Sequence, residues 1–172
     1  MIKVSDIVNI IEEFAPPELA YSWDNTGLIT GDREKCVKRV FVTLDITKET
    51  VDMAIKAGAD MIISHHPILF KGLQKIDYYN GDGYILKELI KNDIAVYASH
   101  TSMDCTKDGV NDVFAKKLNI NNMLPIEKNE KFSECGLGRI GNVKTTTLRE
   151  FAEFVKKQLN TPFVRVCGDL DK

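Results

Sequence analysis

Histidine is nearly missing from this chain of 172 residues: it has three, beside one tryptophan, four cysteines and five prolines. Each scarcity excludes something. Cys36, Cys105, Cys135 and Cys167 lie at least 30 positions apart with no C-x-x-C among them, which excludes a zinc ribbon and a disulfide frame. They read as reduced thiols packed in the core. Nowhere does the chain hold the roughly 18 consecutive apolar residues of a membrane helix. The opening "MIKVSDIVNIIEEF" carries charges through its apolar positions, unlike a secretory signal, so the chain reads as cytoplasmic. The 23 basic and 25 acidic residues nearly cancel, to a net charge of −2, and no run reaches five like charges. That excludes the electrostatic footprint of a nucleic-acid or membrane binder and leaves a small molecule as the expected partner. No Ser-His-Asp order, phosphate loop or internal repeat is visible.

What is present is a well-patterned globular sequence. Its 44% hydrophobic content suffices for one domain and part of a second. Ile7, Ile10, Ile11 and Phe14 recur at helical spacing after a Ser5 cap, and "APP" stops that helix. "RVFVTLDIT" (39–47) reads as a buried strand, followed by a helix from Thr47 to about Ala57 that buries Val51, Ala54 and Ile55. "DMIIS" (60–64) is a second strand. The turn-rich "DYYNGDG" (77–83) leads into the helix "YILKELIKN", and "IAVYAS" (94–99) is a third strand. The order β-α-β-α-β predicts an α/β fold, a parallel or mixed sheet flanked by helices, with ligands gathering beyond the carboxyl ends of its strands.

That rule gathers all three histidines. Asp45 ends the first strand, His65 and His66 of "ISHHPILF" end the second, and His100 of "HTSMD" ends the third, with Asp104 one helical turn on. Converging imidazoles and carboxylates are a ligand set for zinc, manganese, iron or nickel, among which the residues do not choose. If residues 63–66 stay extended, the adjacent imidazoles point to opposite sides and suit two ions better than one. Pro67 favours that extended form at His66. Asp45, just before a helix start, reads as a capping or turn residue.

"SWDNTGL" (22–28), "ISHHPILF" (63–70), "ASHTSMD" (98–104), "GVND" (109–112) and "GLGRIG" (136–141) stand in an order that resembles the GTP cyclohydrolase 1 type 2 homologues, or NIF-three-like dinuclear-metal proteins. The resemblance implies two divalent metal ions, with His65 on one, His66 and Asp104 on the other, and His100 as a further ligand or a partner behind the ligands. It also implies a homohexameric ring of two-lobed subunits. In the family a later H-x-x-x-E completes the site, yet no histidine follows His100. The chain is therefore expected to be the amino-terminal part of a longer protein, with a degenerate paralogue as the alternative. Residues 1–125 would form the first α/β lobe carrying the His/Asp half of the site. Residues 126–172 would start a second lobe whose carboxyl-terminal part is missing.

The other motifs read structurally: "WDNTGL" as a packed loop, with a role for Asp24 or Asn25 near the metals as the alternative, "GLGRIG" as a strand and turn, Thr147 and Glu150 as a T-x-x-E capping box, and "PFVRVCGDLDK" as a strand with a charged turn. Two function classes follow. One is a metal-dependent hydrolase acting on a nucleotide or other small molecule; the other is a non-catalytic metal-binding or regulatory ring-forming scaffold.

Overall fold

The computed structural model describes residues 1–79 and 81–172, so one position of the expected turn at 77–83 lies outside the described residues. They gather into two compact units, Met1–Thr106 and Lys107–Lys172.

In the first unit, helix α1 (Val4–Phe14) starts one residue before the expected Ser5 cap. The backbone N–H groups of Val4 and Ser5 donate to the carbonyls of Lys35 and Arg33, each at 2.9 Å, and Lys3 N–H donates to the Asp6 carboxylate at 2.8 Å, so a neighbouring loop and one side chain together satisfy the first turn. The buried stripe is Val4 and Val8 with Ile7 and Ile11 against it. Ile10 and Phe14, expected on that face, are 67% and 49% exposed because they lie off the i, i+3, i+4 line through Val4 and Val8.

Four short strands follow: β1 (Gly27–Thr30), β2 (Val40–Thr43), β3 (Met61–Ser64) and β4 (Ala95–Ala98). Their spatial order is β1-β4-β3-β2. The two pairings among β2, β3 and β4 are parallel, as the alternating pattern predicts, whereas β1 adds an antiparallel edge to β4. Helix α2 (Lys48–Lys56) starts at Thr47, whose hydroxyl accepts from Thr50 N–H at 3.2 Å. Helix α3 (Gly81–Lys91) completes the second crossover.

The strand period of two divides the core. Met61, Ala95 and Tyr97 pack with Val4 and Val8 of α1 on one face. Ile62 and Val96 pack with Val51 and Ala54 of α2 and with Ile85 and Leu89 of α3 on the other. A fully buried aliphatic residue such as Val96 contributes about 1.5–3 kcal/mol over its exposed state. Both faces of β3 and β4 are covered, whereas β2, expected as a buried strand, lies at the sheet edge with Val42 74% exposed and only its Phe41 side packed on the core.

In the second unit, helix α5 (Val110–Lys117) is followed by the antiparallel hairpin β5 (Asn121–Lys128) and β6 (Gly136–Asn142), then by helix α6 (Leu148–Leu159). The capping box forms as expected: Glu150 N–H donates to the Thr147 hydroxyl at 3.2 Å, and Thr147 N–H to the Glu150 carboxylate at 3.1 Å. The strand expected within residues 162–172 does not form. The carbonyls of Leu170 and Lys172 instead accept from Arg149 and Leu148 N–H, each at 2.9 Å, so this segment serves the first turn of α6. No disulfide forms among the described residues, and of the four cysteines only Cys105 is buried, while Cys167 is exposed. No described helix is long and apolar enough to cross a membrane.

Candidate metal centre

The carboxyl ends of β2, β3 and β4 are laced together beyond the last strand residue. His65 N–H donates to Thr43 O at 3.2 Å, His66 N–H to Leu44 O at 3.0 Å, and Ser99 N–H to Ser64 O at 3.1 Å. His100, the first residue of helix α4 (His100–Cys105), then donates its N–H to His65 O at 3.0 Å. The parallel register thus continues for two residues past the sheet and fixes three histidine backbones side by side.

The extended geometry that would separate His65 from His66 is absent. β3 stops at Ser64 and the two histidines lie in a bend, where the Ser64 hydroxyl donates to His66 O at 2.9 Å. Once the strand has ended, alternation no longer governs, and the two rings lie 4.9 Å apart, centre to centre. His100 stands 5.4 Å from His65 and 5.6 Å from His66. One nitrogen of each imidazole lies within 4.8 Å of the others, so this group can hold a metal ion. Asp104, one turn along α4, places Oδ1 3.6 Å from His65 Nε2. All four residues expected from the sequence are therefore brought to one edge, with Asp104 beside His65.

The ring orientations come from carboxylates. Asp24 Oδ1 lies 2.7 Å from His100 Nδ1, and Asp45 Oδ1 lies 2.7 Å from His66 Nδ1. A carboxylate only accepts, so in each pair Nδ1 carries the proton and Nε2 keeps its lone pair for a cation. Asp45 is thus not the helix cap: Thr47 occupies that place, which leaves the Asp45 carboxylate to His66. The Asp24 side chain is fully buried and is also bonded by Thr101, through its N–H at 3.1 Å and its hydroxyl. Burial would push the Asp24 carboxyl up. The Thr101 hydroxyl, His100, and the backbone N–H groups of Thr101 and Asn25 outweigh it and hold the group below its ordinary value. For His65, burial is the main cause lowering the pKa, with His66 and His100 adding to it against the opposing pull of Asp104. A lowered pKa keeps that imidazole in the neutral form a metal needs.

"WDNTGL", read as a packed loop, is what delivers Asp24. Thr26 donates its hydroxyl to Ala98 O at 2.8 Å, and Gly27, at φ +109°, turns the chain into β1 against the end of β4. Asp24 and His100 are 76 positions apart, and no periodicity or spacing connects them. Trp23 lies on the same loop, 6.4 Å from the His100 ring.

An α/β sheet carrying a histidine cluster at its carboxyl edge defines the class of protein. The Duf34/NIF3 (NGG1p interacting factor 3) family model matches residues 2–172, and the chain belongs to that family. It is 41% identical over 173 residues to a GTP cyclohydrolase 1 type 2 homolog of Clostridium acetobutylicum, covering 99% of this chain and 65% of the relative. The homolog of the same name from Clostridium perfringens is 38% identical over 171 residues, with the same coverage. The chain thus spans 65% of the length of these curated relatives. The crystal structure of Staphylococcus aureus protein SA1388 is similar with a TM-score of 0.90 at 31% identity, covering 99% of this chain and 69% of that one.

Proposed function

We propose that His65, His66, His100 and Asp104 hold a pair of divalent metal ions and that the protein is a metal-dependent hydrolase of a nucleotide-like small molecule. The observation that carries this reading is the convergence of three imidazole nitrogens within 4.8 Å, with two of the rings oriented from behind by Asp24 and Asp45. Such carboxylate–imidazole pairs are the support a metal ligand requires, and the donor set suits zinc, manganese, iron or nickel. A divalent ion held there would polarise a substrate oxygen and acidify water near neutral pH.

The protein's own groups have distinct parts. Asp24 and Asp45 fix the tautomers of His100 and His66. Asp104, against His65, is the carboxylate placed either to ligate or to take a proton. The resemblance gives His65 to one ion, and His66 with Asp104 to the other. The curated relatives are named GTP cyclohydrolase 1 type 2 homologs, and that name supports a guanine nucleotide as the substrate class and hydrolysis as the reaction class.

The test is a nucleotide screen with protein stripped by chelator and reloaded with each metal in turn. Product formation that needs the metal and disappears in the His65→Ala/His66→Ala double variant supports the hydrolase. A metal-loaded protein that turns over no nucleotide leaves the non-catalytic scaffold as the function.

A further inference from the structure

Beside the histidines lies an aromatic patch that metal binding does not explain. Tyr21 and Trp23 are stacked, with ring centres 5.3 Å apart and planes 13° from parallel. Phe70, just beyond the double histidine, approaches Trp23 at 5.9 Å and stands perpendicular to His100 at 6.1 Å. The three rings come from two loops at the same strand ends. Even so, Trp23 is 57% exposed and Phe70 47% exposed. The first loop is clasped to the second by the Asn25 side chain, which donates to Leu69 O, so the rings sit on held backbone.

We infer that Trp23, backed by Tyr21 and flanked by Phe70, is a stacking platform for a purine-sized planar heteroaromatic ring, which it presents to the histidine cluster. Indole gives the largest flat π surface of any side chain, and base-on-aromatic stacking tolerates any ring with a π face. Backing by a near-parallel tyrosine holds the indole in place, and its footprint is one ring system, too small for a helix or a lipid chain. The neighbouring imidazoles, with Asp45 and Asp104, make the adjoining side polar. A ligand that fits both must therefore be apolar on its faces and polar at its edge, which describes a heteroaromatic base and excludes a sugar phosphate alone. The inference rests on the metal-dependent reading only for the direction in which the ring's edge points.

Trp23 is the single tryptophan of the chain, so its fluorescence reports this place and no other. Adenosine, guanosine and ribose 5-phosphate are titrated into the protein, with and without zinc, and binding is followed by emission and by calorimetry. Saturable quenching by both nucleosides but not by ribose 5-phosphate is expected. Trp23→Leu should weaken nucleoside affinity at least fivefold by calorimetry, Trp23→Phe should retain most of it, and both should keep the wild-type zinc content. Equal responses to ribose 5-phosphate, no saturable response to either nucleoside, or unchanged affinity in Trp23→Leu would overturn the platform. Emission that changes with protein concentration but not with nucleoside would assign the patch to contact between copies, and also overturn it. Failure of the hydrolase reading looks different: nucleosides stack and metal binds, but no nucleotide is turned over.

Discussion

In the second unit, Asp112 and Arg139 form a buried pair that is also tied to the backbone on both sides. Arg139 Nε and Nη2 donate to the two carboxylate oxygens at 2.5 and 3.1 Å, and Nη1 donates to the carbonyls of Gly136 and Gly138 at 2.6 and 2.8 Å. Asp112 also accepts from Asp108 N–H at 2.6 Å, and both side chains are buried. In the first unit, Asp24 is as deeply buried, yet its partner is an imidazole with a second nitrogen facing two more imidazoles. A planar guanidinium has donors for every acceptor around it, so its pair closes on itself; an imidazole held at Nδ1 still has Nε2 to offer. The first arrangement ties its charges to each other, whereas the second leaves an imidazole nitrogen to offer. The sequence motifs "GVND" and "GLGRIG" belong to the closed pair, and "WDNTGL" and "HTSMD" to the open one.

Removing a carboxylate should therefore have different consequences in the two units. The largest effect is expected from Asp112→Ala, which strands a buried guanidinium at about 3–5 kcal/mol. Denaturant unfolding should show that loss while zinc affinity by calorimetry stays unchanged. Asp24→Asn should lower zinc affinity about 10- to 100-fold, the usual cost of losing a carboxylate behind a ligating histidine. Asp45→Asn should cost less than Asp24→Asn by the same calorimetry, because the Asp45 side chain is about half exposed and water can replace it. If Asp45→Asn cost as much as Asp24→Asn, burial would not be what distinguishes the two supports.

The smallest effect concerns pH. The folded pKa of His65 is lowered, first by burial, so its contribution to stability is complete above the ordinary imidazole value of about 6.5 and is lost as pH falls through the lower folded value. Metal-free protein should lose thermal stability across that interval, and His65→Gln should flatten the loss. A profile that stays unchanged in His65→Gln would mean another group titrates there.

The parallel three-strand frame and the gathering of histidines were legible because buried strands and amphipathic helices have distinct periods. The edge strand β1 was not, since Gly27–Thr30 is short and pairs with a strand far along the chain. β5 was hidden for another reason: Pro125 argues against a strand, yet it sits opposite Arg139 in a two-stranded sheet, where a missing donor can face outward. The ligand candidates could be found from local motifs, but which carboxylate stands behind which histidine could not. Asp45 sat where a cap would sit, and Asp24 reaches His100 only through the pairing of β1 with β4. The glycines of "GLGRIG" could be assigned to structure but not to a cause. At Gly136, φ +143°, a Cβ would lie 1.9 Å from Glu127 O, so glycine is what lets β6 close on β5.

The central claim is that the three histidines, with Asp104, bind divalent metal at this strand edge, and metal content tests it most directly. Chelator-stripped protein is dialysed against zinc or manganese, and bound metal per chain is measured by elemental analysis for the wild type, His66→Ala and the His65→Ala/His66→Ala double variant. The account predicts metal bound by the wild type, a partial loss in His66→Ala, and no metal above background in the double variant, with all three equally folded by circular dichroism. Undiminished metal in the folded double variant would contradict it, and the paired histidines would then be a hydrogen-bonded strand end.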